Sequence, residues 1–210
     1  MDHCCSHKRI ELEALARQAA QRRVLVAVMA INLAMFVLEF GAGVVAHSSA
    51  LQADAVDMLG DAVVYALSLY AVDRGARWEA GAALAKGLLI LAFFVFIVLE
   101  IVVKVQQGVP PSSGLMLAFG MLALVANGAC LALLWRFRSL NLNMKSTFEC
   151  SRNDVIANVG VLIAAGAVAL TGTGWPDIVV GAVIALLFLR SALRVIGEAW
   201  PAWRASAAAR

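Results

Sequence analysis

Charge is scarce in this sequence. Only 15% of its 210 residues are Asp, Glu, Lys or Arg, and long stretches hold almost none. A soluble globular domain carries about a quarter charged residues and is about half apolar, whereas 62% of this chain is apolar. Its mean hydropathy is +0.85. A water-soluble domain is therefore excluded first, and a membrane protein is expected. Other absences narrow the reading. No Gly-rich phosphate loop, nucleotide motif or soluble catalytic triad occurs, which argues against a nucleotide-driven pump or a soluble enzyme. No lipidation motif fits, and the opening Met1-Asp2-His3-Cys4-Cys5 is too polar for a signal peptide. The chain holds only four cysteines; Cys130 and Cys150 lie inside apolar runs, so no disulfide framework is expected.

Six apolar runs are long enough for the about 20 residues of helix that cross a bilayer. They are Val24–Ala46, Ala50–Val72, Ala82–Val105, Gly114–Leu134, Phe148–Leu170 and Ile178–Gly197. The expected fold is an all-α integral membrane protein with six transmembrane helices. Residues 1–23 form an N-terminal tail, 24–197 the membrane domain and 198–210 a short C-terminal tail. The segment Lys8–Arg23 reads either as a short amphipathic helix at the lipid surface or as a solvated lead-in to the first span.

Positive charge sets the orientation, because Lys and Arg are retained in the cytoplasm. Lys8, Arg9, Arg17, Arg22 and Arg23 precede span one. Arg74 and Arg77 follow span two, Arg136, Arg138 and Lys145 follow span four, and Arg204 and Arg210 follow span six. The remaining loops have almost no cations: the first holds His47, which reads as solvated, and Lys104 near an outer end is expected to pair with Glu100. Both termini are thus expected in the cytoplasm, and the net charge of +3 is a signal of topology and gives no reason to invoke nucleic acid.

Span two carries Asp54, Asp57 and Asp61. Inserting each at the centre of a membrane helix costs roughly 2.5–3.5 kcal/mol, so a compensating partner is required. The three fall within an arc of about 60° on one helix face. Asp57 and Asp61, at i and i+4, are neighbours that repel unless a proton or a cation lies between them. Span five offers the same spacing in Cys150 and Asp154, with Asn158 a turn further on. If the two faces meet, Asp57, Asp61, Cys150 and Asp154 supply three carboxylates and a thiol, a set suited to zinc, cadmium or cobalt. Asp54 and Asn158 would stand one layer behind them. The sulfur argues against magnesium and calcium, which prefer all-oxygen sites. Four ionised ligands around a divalent ion would leave a net charge of about −2 in a poorly solvated place, so ligands that exchange protons for metal are expected.

These runs resemble a known family. Asn32, Glu39, Gly43 and the stretch Ser49-Ala50-Leu51-Gln52-Ala53-Asp54-Ala55-Val56-Asp57-Met58-Leu59-Gly60-Asp61, with Cys150 to Leu162 in span five, look like spans one, two and five of the cation diffusion facilitator family. The resemblance implies a homodimeric metal/proton antiporter of a cell membrane, in a bacterium the inner one, and not an enzyme. Its cargo would be zinc, cadmium, cobalt or a related ion, with protons as counter-ion and no permanently bound cofactor. It places the transport site on Asp57, Asp61, Cys150 and Asp154. Cys150 departs from the His or Asp usual at its position. The C-terminal cytoplasmic domain common in the family has no counterpart in these residues, so dimer contacts are expected between spans, with Gly81, Ala85 and Gly87 as candidates. His3, Cys4, Cys5 and His7 cluster in the N-terminal tail and could bind zinc there, or be incidental.

Two other readings compete. The same ligands could line a passive channel or an importer. Paired intramembrane Asp residues also occur in aspartyl proteases, but those need Gly-x-Gly-Asp, and Met58 stands where the first glycine would be.

Overall fold

The computed structural model describes the backbone of residues 2–71, 76–139 and 142–208. Side chains are described from residue 19 on, with a number of exceptions inside the helices that include Cys150. The tail cluster His3, Cys4, Cys5 and His7 therefore lies outside the described side chains.

The described residues form six helices: α1 (Asp2–Ala46), α2 (Ser49–Ala71), α3 (Ala76–Gln107), α4 (Ser113–Trp135), α5 (Leu142–Thr171) and α6 (Trp175–Ala208). The six expected spans all fall inside them, apart from residue 72 at the end of span two, which is outside the described residues. Among the described residues, five are long and apolar enough to cross a membrane over uninterrupted stretches. The sixth, α2, carries the three aspartates, and the packing explains how it is tolerated. α2 touches each of the other five helices, and Ala50 to Val56 are all buried. Its polar groups thus meet protein rather than lipid, the condition under which ionisable residues persist inside a membrane. The surrounding helices turn apolar side chains outward, among them Val37, Leu99, Val125, Ile163 and Leu186. This is the arrangement of a multi-pass membrane protein.

α1 is one continuous helix, so the segment Lys8–Arg23 is not a separate surface helix but runs straight into the span. Its C-terminus closes with a Schellman-type pair of hydrogen bonds: Ser48 N donates to Gly43 O at 2.9 Å and His47 N to Val44 O at 3.2 Å. His47 takes the left-handed backbone conformation that this cap requires (φ 54°). It is exposed, as expected, and its backbone forms the α1–α2 corner.

The corner where α1 turns into α2 is held by ionic contacts. Ser48 caps α2, its Oγ accepting from Leu51 N at 3.1 Å. Asp177, in the first turn of α6, accepts from Ser49 N at 2.8 Å, Ala50 N at 3.1 Å and Ser48 Oγ at 2.5 Å. A carboxylate there satisfies the helix's unpaired N–H groups and complements its dipole. Lys104 of α3 donates to Ser49 Oγ at 2.8 Å and lies 3.5 Å from Asp177. The expected Lys104–Glu100 pair is present at 3.4 Å. Gly181, a turn after Asp177, lets α6 lie against this corner: a Cβ there would stand 3.0 Å from both the carbonyl carbon and the Cβ of Ser49.

Two of the small residues expected at a dimer contact face a helix of their own chain. A Cβ on Gly87 would stand 2.6 Å from Ile196 Cγ1, and one on Gly81 would lie 4.0 Å from Trp203, so both face α6 of the same chain. A small residue signals close approach but not the identity of the neighbour. Ala85 alone of the three is exposed.

Candidate metal site

Asp57, Asp61 and Asp154 border one cavity of about 260 Å³ between α2 and α5, floored by Ile90 of α3 and by Ile184, Leu187 and Ser191 of α6. The i, i+4 spacing on α2 aims Asp57 and Asp61 the same way, and the α2–α5 contact brings Asp154 opposite them. Asp61 and Asp154 are buried at 4% and 5% exposure, while Asp57 is partly open. Asp61 accepts a hydrogen bond from Tyr65 Oη at 3.0 Å, and its carboxyl lies within reach of Asp154. Asn153 and Gly60 complete the polar side of the wall.

Among the described residues, no three His, Cys, Asp or Glu side chains are disposed to hold a metal ion. The three carboxylates border the cavity without closing on one point. Cys150, on the turn of α5 before Asp154, is the fourth expected ligand, and its side chain lies outside the described residues.

Asp54 and Asn158 do not line the cavity. They bond to each other behind it: Asn158 Nδ2 donates to Asp54 Oδ2. Asn127 of α4 extends the chain by donating to Asn158 Oδ1 at 2.9 Å. Glu39 of α1 abuts the Asp54 carboxyl on the other side. Glu39, Asn127 and Asp177 carry no individual role in the sequence reading. A lone carboxylate within span one was the available signal for Glu39. Cys130 is a free buried thiol with its sulfur 4.0 Å from Asn32 Nδ2.

The cation efflux transmembrane domain family matches the chain over residues 25–201. The chain belongs to the cation efflux family. The cation diffusion facilitator resemblance read from spans one, two and five is thereby borne out over nearly the whole membrane domain. Curated relatives agree. A metal cation efflux system protein, CzcD of Cupriavidus metallidurans, is 28% identical over 192 residues, covering 82% of this chain and 61% of that protein. A cadmium, cobalt and zinc/H(+)-K(+) antiporter of Bacillus subtilis is 25% identical over 195 residues, with coverages of 85% and 62%. The zinc transporter ZitB of Escherichia coli is 28% identical over 190 residues, with coverages of 84% and 60%. This cation efflux chain spans about three-fifths of the length of these relatives.

Proposed function

We propose that this chain carries divalent transition-metal cations, zinc together with cadmium or cobalt, out of the cytoplasm in exchange for protons. The observation that carries the reading is the cavity shared by Asp57, Asp61 and Asp154 in the middle of a six-helix membrane bundle. Cys150 is the proposed fourth ligand. The relatives named for zinc, cadmium and cobalt support the choice of cargo, and a thiolate among carboxylates suits those borderline ions. Both termini are proposed to face the cytoplasm, on the distribution of Lys and Arg. The active unit is proposed to be a homodimer.

The cavity lies about 12 Å along α2 from the corner formed by Ser48, Ser49 and Asp177. That corner is packed and ion-paired, so the cavity is proposed to receive metal from the opposite, cytoplasmic side. Metal entry displaces protons from the carboxylates and the thiol, and metal release restores them. The exchange keeps the charge in the poorly solvated site within bounds.

The test is zinc uptake into everted membrane vesicles. Uptake is expected to accelerate when the vesicle interior is acidified and to collapse on adding a protonophore. Uptake that follows the zinc gradient and ignores the pH gradient would mean a passive channel instead.

A further inference from the structure

Glu39 is a fully buried carboxyl that no hydrogen-bond donor reaches. Its exposure is 0%, and neither Oε1 nor Oε2 has a partner. Across the α1–α2 contact lies the carboxyl of Asp54, 1% exposed and within hydrogen-bonding reach of Glu39. Asp54 is held from its far side by Asn158 of α5, which is held in turn by Asn127 of α4. Every donor in this row points toward Asp54 and none goes on to Glu39. Two carboxyls side by side and away from water do not both carry charge. A single hydrogen between them removes one charge and supplies the missing donor, whose absence is costly for a buried group.

Among the described residues, no ion pair joins Glu39 or Asp54 to a cation. α1 packs on α2 and α4. α4 carries no charged residue, and its one titratable group is Cys130. α2 adds Asp57 and Asp61, and α5 adds Asp154, all acidic and all on the metal cavity, while Glu149 and Arg152 of α5 are exposed. On α3 and α6, Lys104, Glu100 and Asp177 are engaged with one another at the Ser49 corner. A hard metal cation in place of the hydrogen would need six or more oxygens. At Glu39 the two carboxyl oxygens are the unpartnered ones, and Asp54 Oδ2 is already engaged by Asn158.

We propose that Glu39 and Asp54 form a proton-binding site, distinct from the metal cavity, that holds a proton exchanged for the metal ion. This rests on the metal–proton exchange reading above and assigns part of it to named residues. Asp54 lies a turn before Asp57 on α2, and Asn158 a turn after Asp154 on α5. The Asp54–Asn158 hydrogen bond thus ties together the two helices that border the metal cavity. Loss of the proton leaves two negative charges in the α1–α2 contact. A divalent cation among Asp57, Asp61 and Asp154, a turn further along α2, would offset them. One proton leaves the pair as a cation enters the cavity, and one returns as the cation departs.

The experiment uses the purified chain in proteoliposomes with zinc as the probe. Glu39→Gln keeps the shape and gives Asp54 an N–H donor, but cannot titrate; Glu39→Asp keeps a titrating carboxyl. Wild type and Glu39→Asp are expected to be stimulated by an imposed pH gradient. In Glu39→Gln that stimulation is expected to fall about tenfold, within the ordinary range of coupling between two sites. Zinc-for-zinc exchange at equal pH is expected to persist in Glu39→Gln, because the metal cavity is intact. Stimulation in Glu39→Gln equal to wild type would overturn the proposal and leave metal–proton exchange standing. Loss of zinc-for-zinc exchange in Glu39→Gln would make Glu39 a structural residue and overturn it as well. Absence of stimulation in wild type would remove both the exchange reading and this one.

Discussion

Asp154→Ala is expected to abolish metal transport while leaving the protein folded and at least as stable as wild type. Asp154 is buried at 5% exposure, shares its cavity with Asp57 and Asp61, and lies within reach of the Asp61 carboxyl. Three acidic groups crowded in a poorly solvated place oppose one another's ionisation, so removing one relieves a cost of burial. A transported ion loses a charged ligand that no neighbour replaces. Transport should fall by at least about a hundredfold, beyond the about 10- to 100-fold typical when a group that only supports a ligand is lost. The check pairs a transport rate with a melting temperature in mild detergent. A variant that unfolds earlier than wild type would give Asp154 a structural role. One that transports normally would remove it from the site.

Asp177→Ala is expected to have the opposite signature, a large loss of stability. Its carboxylate accepts from Ser49 N, Ala50 N and Ser48 Oγ, and stands 3.5 Å from Lys104, all of them buried. Removing it leaves the first turn of α2 with open N–H groups and a buried cation short of a partner. Breaking a buried charge pair in this way costs about 3–5 kcal/mol. Glu100, 3.4 Å from Lys104, holds the loss toward the lower end. Asp177→Asn keeps an acceptor oxygen but no charge, and is expected to lose less. Denaturant unfolding of the purified protein reads the difference. An Asp177→Ala variant as stable as wild type would show that this corner does not hold α2 in place.

The two variants bear on different kinds of legibility. Asp57, Asp61 and Asp154 stand out in the sequence because their spacing repeats the helix period inside apolar runs, and charge in such a run is expensive. The grouping of these three around one cavity is legible for that reason. Asp177 has no such signal. It falls just before the apolar run of span six and reads as loop, while the structure puts it in the first turn of α6. Its partners lie 127 to 129 residues away in sequence, and no local pattern reports a contact at that separation. Glu39 was visible within the family-like run, but its meaning depends on α1 packing against α2, which brings it to Asp54. The helix ends show a further limit. Hydropathy marks the part of a helix inside the bilayer, so α1 and α6 continue well beyond the runs that announce them. Gly87 is a point of close approach, as its size suggests, but a glycine does not specify whether the helix it meets belongs to the same chain.

The central claim is that a metal ion is held jointly by residues of α2 and α5. It is tested most directly by cadmium binding to the purified protein in a Cys4→Ser, Cys5→Ser background, which removes the tail thiols. The ultraviolet charge-transfer absorption of a cadmium–thiolate bond reports the ligand. The account predicts one cadmium per chain, with an absorption band that vanishes in Cys150→Ser and an affinity that falls sharply in Asp154→Ala. A band that survives Cys150→Ser unchanged, or cadmium binding indifferent to Asp154, would contradict it.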